Sequence, residues 1–125
     1  MTVQFKTDKP IFLQLAEEIR NSILKGNLKE GGFIPSVRKL SAQFELNPNT
    51  VMNSIKNLVD DDILEKKRGL GMRIKNGALE RLIIARKQKF FNTDLINLIK
   101  EAQLLGISIK EIETKISDIE KKKIS

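Results

Sequence analysis

Apolar residues recur at steps of three and four along most of the chain, which is the spacing of amphipathic helices. The first run of this kind begins after Pro10 and stops at Gly26, and glycines and Pro35 fill the loop that follows. Proline is common in the first turn of a helix, and glycine is common just after the last. The pattern therefore predicts a first helix between Pro10 and Gly26.

Two shorter helices are predicted after this loop. Ser36 is a favourable N-cap for the first of them, and Asn47 followed by Pro48 marks the start of the second. On this third helix of the chain, four apolar residues at i, i+4, i+7 and i+8 form one stripe: Val51, Ile55, Leu58 and Val59. We expect that stripe to face the core.

One strand pattern follows, where ILEKK and MRIK flank the sequence RGLG at residues 68–71. A glycine-bearing turn between two short runs of this kind predicts a β-hairpin. Helical spacing returns at Ala78 and stops at Gly106, and Ser108 with Glu111 forms a capping box for a last helix. The predicted fold is mainly α with a small β-hairpin: three helices, the hairpin and two further helices.

The composition removes most catalytic and metal-binding chemistry. The 125 residues contain no cysteine and no histidine, so thiolate and imidazole catalysis, disulfides and the usual zinc sites are excluded. Asp60, Asp61 and Asp62 are consecutive at a predicted helix end and cannot all face one ion, so we expect no metal there. We expect neither an enzyme nor a cofactor.

The chain carries a formal net charge of +7, with 23 basic and 16 acidic residues. An excess of positive charge favours polyanionic partners such as nucleic acid. No apolar run approaches the length of about 20 residues that spans a bilayer, and the start MTVQFKTDKP lacks the apolar segment of a signal peptide. We therefore expect a cytoplasmic protein without a membrane partner.

The polar side of the third helix is rich in asparagine, which is a poor helix former. Asn49, Asn53 and Asn57 lie at i, i+4 and i+8, and together with Thr50 and Lys56 they point away from the apolar stripe. An asparagine amide holds a donor beside an acceptor, the pair that matches N7 and N6 of adenine in the major groove. These residues predict contact with double-stranded DNA, and the alternative is an ordinary solvated face.

Cations stand at the start of the second helix, where the helix dipole disfavours them. Arg38 and Lys39 follow the Ser36 cap, and with the free N–H groups there they could hold a backbone phosphate. The alternative is a surface pair between Arg38 and Glu45. The hairpin is also basic, because residues 63–75 hold five basic residues against one acidic. It could reach a phosphate or a minor groove, or its charges could simply protect the edge strands from aggregation.

Four stretches within about residues 9–75 read KPIFLQLAEEIRNSILKGNL, IPSVRKLS, LNPNTV and KRGLG. Together they resemble the GntR family of bacterial winged helix-turn-helix transcription factors. Where that family usually has Ser-Arg-x-Thr, this chain has NPNT at residues 47–50, which resembles the YtrA subfamily. Asp62 replaces a usual glycine, which Asp tolerates at positive φ, and Arg73 replaces an aromatic residue after the wing.

The resemblance implies a repressor-like protein that binds operator DNA as a dimer through an N-terminal winged helix-turn-helix domain. By motif match it assigns DNA contacts to Arg38, Asn49, Thr50, Asn53, Arg68, Gly69 and Gly71. The candidate DNA-binding residues from the residue patterns and the resemblance together are Ser36, Arg38, Lys39, Asn47, Asn49, Thr50, Asn53, Lys56, Lys67, Arg68, Gly69 and Gly71.

Residues 77–125 form a second region with two predicted amphipathic helices, after a winged domain at residues 1–76. This region is too small to enclose a ligand pocket of typical size within one chain. A second copy would bury both apolar stripes and add a second half-site, so we predict a two-helix dimerisation segment. Its candidate residues are Leu95, Leu98, Ile99, Ile112, Ile116 and Ile119. The alternative is that both helices fold back on the winged domain. An effector could bind at the dimer interface, although the sequence identifies none.

We therefore predict a sequence-specific transcriptional regulator, a repressor that binds a palindromic operator as a homodimer. Two other functions fit the same residues. A DNA-organising or plasmid-maintenance protein would discriminate only weakly between DNA sequences. A protein-interaction module would bind its partner without the steep loss at high salt that phosphate contacts produce.

Overall fold

The computed structural model describes the backbone of residues 4–124 and the side chains of residues 4–123. The helices are α1 (Ile11–Leu24), α2 (Val37–Phe44), α3 (Pro48–Asp60), α4 (Ala78–Lys89), α5 (Leu95–Leu104) and α6 (Ile109–Ile124). Strands β1 (Leu64–Lys67) and β2 (Gly71–Ile74) pair as an antiparallel hairpin, and a π-helical turn at Phe90–Asp94 joins α4 to α5. The predicted order of three helices, a hairpin and two further helical stretches is confirmed.

The chain divides into two compact units, Met1–Ile84 and Ala85–Ser125. The first unit contains α1, α2, α3, the hairpin and the start of α4, because Ala78 and Leu82 of α4 are buried in its core. It therefore extends past the division predicted between residues 76 and 77. The second unit contains the end of α4, the π-helical turn, α5 and α6.

Capping side chains start α2 and α3 where the sequence predicted. The Ser36 hydroxyl oxygen accepts the Lys39 N–H at 3.2 Å, and the Asn47 amide oxygen accepts the Asn49 N–H at 2.8 Å. Each cap pairs an N–H group that the helix itself leaves unsatisfied and contributes about 1 kcal/mol. The start of each helix is therefore fixed by a side chain next to the residues predicted to contact DNA.

The core of the first unit is built mainly from α1, α3 and the hairpin, and Leu40 of α2 and Ala78 and Leu82 of α4 also contribute to it. Among its largest fully buried side chains are Leu15 of α1, Val51 and Leu58 of α3, and Leu64 and Ile74 of the paired strands. Burying one such side chain contributes roughly 1.5–3 kcal/mol. This packing determines which side of α3 faces outward.

The contact between α1 and α3 includes a buried polar residue that the helical pattern did not predict. Ser54 is fully buried, and its hydroxyl donates to the Phe12 carbonyl at 2.7 Å and reaches the carbonyl one turn earlier in α3 at 3.1 Å. Val59, which the sequence assigned to the core face, is 37% exposed, so that assignment was wrong. At 100° per residue, Val59 lies about 100° from the buried face of α3, which is centred on Val51, Ser54 and Leu58.

The chain turns sharply after α3. Asp62 has a φ of 59°, the left-handed conformation anticipated for an aspartate in place of glycine. The Asp62 carboxylate lies 3.3 Å from Lys75 Nζ, and the Asp61 carboxylate lies 3.2 Å from the Arg20 guanidinium. These two acidic residues therefore have separate ion-pair partners. Within the described residues, no group of three or more acidic, histidine or cysteine side chains could hold a metal ion.

The second unit is dominated by α5 and α6, which meet at a turn where Gly106 has a φ of 69°. The predicted capping box is present: the Ser108 N–H donates to the Glu111 carboxylate, and the Glu111 N–H donates to the Ser108 hydroxyl, both at 3.1 Å. Ala102 of α5 is buried, whereas many larger apolar side chains nearby are exposed. Every helix in residues 4–124 is too short or too polar to cross a bilayer.

Ser54→Ala should lower the free energy of unfolding by about 1 kcal/mol, because it removes a buried hydrogen bond that joins α1 to α3. Ser41→Ala is the matched control, since the Ser41 hydroxyl is buried and has no hydrogen-bond partner among the described residues. The control should be neutral or slightly stabilising, because alanine is the better helix former. Urea denaturation measures both, and equal midpoints for the two variants would contradict this account of the α1–α3 contact.

Candidate nucleic-acid interface

Helices α2 and α3 form a helix-turn-helix with a tight connection. Glu45 ends α2 in the left-handed conformation with a φ of 54°, and the Leu46 N–H donates to the Ser41 carbonyl at 3.0 Å. Pro48 then opens α3 directly after the Asn47 cap. The short turn leaves the first turns of both helices exposed at the surface of the first unit.

The outward face of α3 is polar and largely unpaired. Asn49, Asn53 and Lys56 are exposed, Thr50 is half-buried, and the side chains of Asn49, Asn53 and Lys56 form no hydrogen bond or ion pair with any described residue. Met52, which the sequence reasoning missed, is 55% exposed beside them. In the sequence, Met52 falls between the polar face and the apolar stripe of α3, and this position could have indicated that its side chain is exposed. This face offers two amides, a cation and an apolar side chain to a ligand.

The asparagines of this region have different partners. The Asn47 side chain caps α3, so its amide oxygen is already occupied. The Asn57 amide oxygen accepts a hydrogen bond from the Arg20 guanidinium at 2.7 Å, and the same guanidinium pairs with Asp61. Asn57 therefore ties α3 to α1. Among the asparagines at positions 47, 49, 53 and 57, Asn49 and Asn53 are the two whose side-chain amides have no partner in the described chain.

Exposed cations surround the start of α2. Arg38 and Lys39 are both exposed, and neither side chain has an ion-pair partner among the described residues. The pair of Arg38 with Glu45, the alternative considered from the sequence, is not formed within that part of the chain. The Ser36 hydroxyl accepts the Lys39 N–H and keeps its own hydrogen for donation. The arrangement can hold an anion by charge and by hydrogen bonds together.

The wing is the hairpin of β1 and β2, with an exposed tip at residues 68–70. Gly69 and Gly71 have φ values of 79° and 112°, a conformation that a side chain would strain. The Arg68 side chain is exposed and unpaired among the described residues, whereas Lys67 lies 3.7 Å from the Glu65 carboxylate. Within the wing, Arg68 at the tip and Lys66 of β1 are therefore the cations without an ion-pair partner among the described residues.

The position where the GntR family usually has an aromatic residue is filled here by an ion pair. Arg73 of β2 donates from Nε to the Glu65 carboxylate of β1 at 2.9 Å and makes a second bond to the same oxygen through Nη2. This bonding holds the pKa of Glu65 below its ordinary value, and the nearby charges of Arg73, Lys67 and Lys75 act in the same direction. Arg73 thus belongs to the internal structure of the wing.

The loop before α2 is attached to the wing. Phe33 forms a bridge to Arg73, the Ile34 N–H donates to the Met72 carbonyl at 3.0 Å, and the Ile74 N–H donates to the Gly32 carbonyl at 2.8 Å. The start of α2 and the wing are therefore parts of one hydrogen-bonded structure. The candidate DNA-binding residues on α2, on α3 and in the wing all belong to the first compact unit.

The candidate dimerisation residues lie in the second unit. Leu98, Ile116 and Ile119 are exposed, and Leu95, Ile99 and Ile112 are half-buried. A cavity of about 490 Å³ opens between α5 and α6, and its lining is mainly apolar. Leu98, Ile112 and Ile116 contribute to this lining.

Comparisons with known proteins agree with this geometry. The pattern of the family described as bacterial regulatory proteins, gntR family, matches residues 12–74. The HTH-type transcriptional repressor YtrA of Bacillus subtilis (strain 168) is 32% identical over 114 residues, which cover 91% of this chain and 87% of the repressor.

Two solved structures are similar in fold. A GntR family transcriptional regulator from Listeria monocytogenes has a TM-score of 0.76 and 27% identity, with 91% of this chain and 98% of that chain covered. The DNA-binding domain of AraR, solved in complex with operator ORX1, has a TM-score of 0.52 and 25% identity, covering 59% of this chain and 90% of that one.

The fold and these similarities define a DNA-binding transcriptional regulator with a winged helix-turn-helix domain. Such regulators are not enzymes. The chain belongs to the gntR family of bacterial regulatory proteins, as its sequence motifs indicated, and its similarity to the YtrA repressor extends beyond the winged domain.

Glu65→Gln should destabilise the protein at pH 7 and have a smaller effect at about pH 3. The pKa of Glu65 is lowered in the folded state, so its contribution is present above the ordinary value of 4.5 and is lost as pH falls through the lower folded value. Urea denaturation of both proteins at the two pH values measures this difference. A difference in stability that persists unchanged at about pH 3 would contradict the assigned ion pair.

Proposed function

We propose that this regulator is a homodimeric repressor that binds a palindromic operator, with α3 in the major groove and the wing on the backbone or in the minor groove. The observation that carries the proposal is the unpaired polar face of α3. Asn49 and Asn53 are exposed amides without partners in the described chain, on a helix whose other asparagine is engaged by Arg20. We place the protein in the cytoplasm, because that is where bacterial operator DNA lies.

The chemistry of α3 supports readout of base edges. Asn49 and Asn53 each offer a donor and an acceptor, the pair that adenine accepts in the major groove. Met52 is positioned beside them and offers apolar contact to a thymine methyl group. Thr50 and Lys56 flank the amides and can contact the sugar–phosphate backbone. We therefore propose that this helix favours A·T base pairs at the centre of each half-site.

Two further groups of residues support contacts with phosphates. At the start of α2, the Ser36 hydroxyl, Arg38 and Lys39 can hold one phosphate beside the groove that α3 enters. In the wing, Lys67, Arg68 and the backbone at residues 69–71 can approach a second phosphate or a narrow minor groove. The AraR DNA-binding domain is known in complex with operators, and its similarity to this chain supports the same mode of docking.

The exposed apolar surface of the second unit supports homodimerisation. Leu98, Leu105 and Ile116 line the cavity between α5 and α6 and remain largely open to solvent. A second copy of the same segment would bury this surface, and a two-fold dimer presents two winged domains to a palindrome. If a small apolar effector regulates the protein, we propose that it binds in this cavity. Repression as the outcome is supported by the similarity to the YtrA repressor.

Asn53→Ala should reduce the discrimination between the preferred operator and unrelated DNA by about 1–3 kcal/mol, because one bidentate base contact is lost. Non-specific affinity should change little, since the phosphate contacts remain. The operator is first recovered by selection from random DNA, and competition binding is then measured by fluorescence anisotropy.

Asn57→Ala is the matched control for this substitution, because the Asn57 amide is held by Arg20 within the protein. It should keep the wild-type sequence preference even if it lowers stability. An unchanged preference in Asn53→Ala would remove Asn53 from the base-reading residues. Weak preference in the wild type itself would favour a DNA-organising protein.

Ile116→Glu should convert the dimer into a monomer and lower operator affinity at least about tenfold, because binding then depends on one half-site. Thr114→Glu is the matched control, as it adds the same charge to the opposite, exposed side of α6. Analytical ultracentrifugation gives the oligomeric state, and anisotropy gives the affinity. A wild-type monomer, or a dimer that tolerates Ile116→Glu, would contradict this interface.

A further inference from the structure

A glutamate from the loop before α2 caps the helix that leaves the DNA-binding unit. The Glu30 carboxylate accepts the Gly77 N–H at 2.8 Å and the Leu79 N–H at 3.1 Å, although 47 and 49 residues separate these positions along the chain. These two bonds, followed by the charge of Arg81, hold the pKa of Glu30 below its ordinary value. Two N–H groups at the start of α4, which the helix itself leaves unsatisfied, are thus capped by a side chain from a loop distant in sequence.

An arginine of α4 ties the same helix to the end of α3. Arg81 Nη2 donates to the Asp62 carbonyl at 2.5 Å and to the Asn76 carbonyl at 3.4 Å. Asp62 is the left-handed residue directly after α3. The guanidinium passes over Gly77, where a Cβ would lie 2.9 Å from Arg81 Nη1, and Gly77 itself has a φ of 88°. We call Glu30, Asp62, Gly77 and Arg81 the α4 clamp.

Little else in the described structure holds the start of α4. Ala78 and Leu82 are buried in the core, whereas Leu79, Ile83 and Ile84 are exposed. Ala78 and Leu82 lie one turn apart on the same side of α4 and contact the core along a single line. Two such contacts alone would allow the helix to pivot about that line. The clamp adds hydrogen bonds on two sides, from the loop that precedes α2 and from the turn that follows α3.

We propose that the α4 clamp fixes the direction in which α4 leaves the DNA-binding unit, and thereby sets the half-site spacing that the dimer accepts. Glu30 and Arg81 act as positioning residues and do not contact DNA. The inference rests on the proposed function, since only a dimer on two half-sites has a spacing to select. Helix α4 continues through the π-helical turn into α5, so it is the covalent link between the winged domain and the proposed dimerisation segment.

The geometric part of the proposal is tested without DNA. The chain contains no cysteine, so Lys25→Cys and Lys87→Cys introduce a unique pair of sites for spin labels, one in each compact unit. Labelled protein is mixed with an excess of unlabelled protein, and pulsed electron paramagnetic resonance measures the distance distribution. We expect one narrow distribution in the otherwise unaltered protein and a clearly broader one in Glu30→Ala and in Arg81→Lys.

Glu80→Ala is the matched control, because it removes the same charge from the first turn of α4 without touching the clamp. It should keep the narrow distribution. Circular dichroism shows whether each variant is folded. Arg81→Lys provides an independent test, because it keeps the charge but removes the planar guanidinium group whose Nη2 donates to two carbonyl groups. Distributions of unchanged width in both clamp variants would overturn the proposal.

The functional part is tested on a series of DNA duplexes in which two inverted half-sites are moved apart one base pair at a time. We expect the ratio of affinities at the best and worst spacing to fall about tenfold in Glu30→Ala, while affinity for a single half-site stays within about twofold. Equal losses on single and paired half-sites would mean a general structural defect and would overturn the spacing role. If the wild-type protein shows no spacing preference, the proposed function is overturned. The spin-label distances test separately whether the α4 clamp fixes the direction of α4.

Discussion

Ser54 and Leu58 of α3 are both fully buried, and the Ser54 hydroxyl bonds directly to the backbone of α1. This contact sets the rotation of α3 about its own axis. Because side chains follow each other at 100°, fixing Ser54 and Leu58 inward forces Asn49, Asn53 and Lys56 outward. A rotation of α3 that turned Asn53 toward the core would expose Val51, which lies on the opposite side of the helix. The orientation of the face that we propose reads DNA is thus determined by the packing on the other side of the same helix.

Basic side chains of the first unit are available to contact DNA phosphates only where they are not already paired within the protein. Arg20, Arg73 and Lys75 are held by acidic side chains, and Arg81 is bonded to backbone carbonyl groups. Surface ion pairs that are only partly exposed contribute modest stability, but they fix the geometry of the elements they join. A second set of cations is left unpaired among the described residues, at the start of α2, on α3 and at the tip of the wing: Arg38, Lys39, Lys56 and Arg68.

The sequence predicted those features that depend on neighbours within a few residues. The caps at Ser36 and Asn47 and the hairpin around residues 68–71 follow from local chemistry, and the structure contains each of them. The positive φ of Asp62 was anticipated from the family resemblance and is also present. The family motifs also led to the correct class of protein.

Features that depend on distant residues could not be predicted in this way. Ser54 is a core residue because of the Phe12 carbonyl, 42 positions away, and hydrophobic periodicity treats serine as a surface residue. Asn57 lies on the polar side of α3 in the sequence pattern, but its amide oxygen accepts a hydrogen bond from Arg20, 37 positions away. The cap of α4 by Glu30 spans 47 positions. No spacing rule connects such residues, so only the folded chain reveals which polar groups remain free for DNA.

Genome-wide mapping of the sites that the protein occupies in its own cell tests the central claim most directly. If two copies present α3 to successive turns of DNA, the bound sites share a motif of two inverted half-sites whose centres lie about 10 base pairs apart, or a multiple of that distance. Occupancy scattered along the genome without a shared sequence, or a single motif without inverted symmetry, would contradict the account.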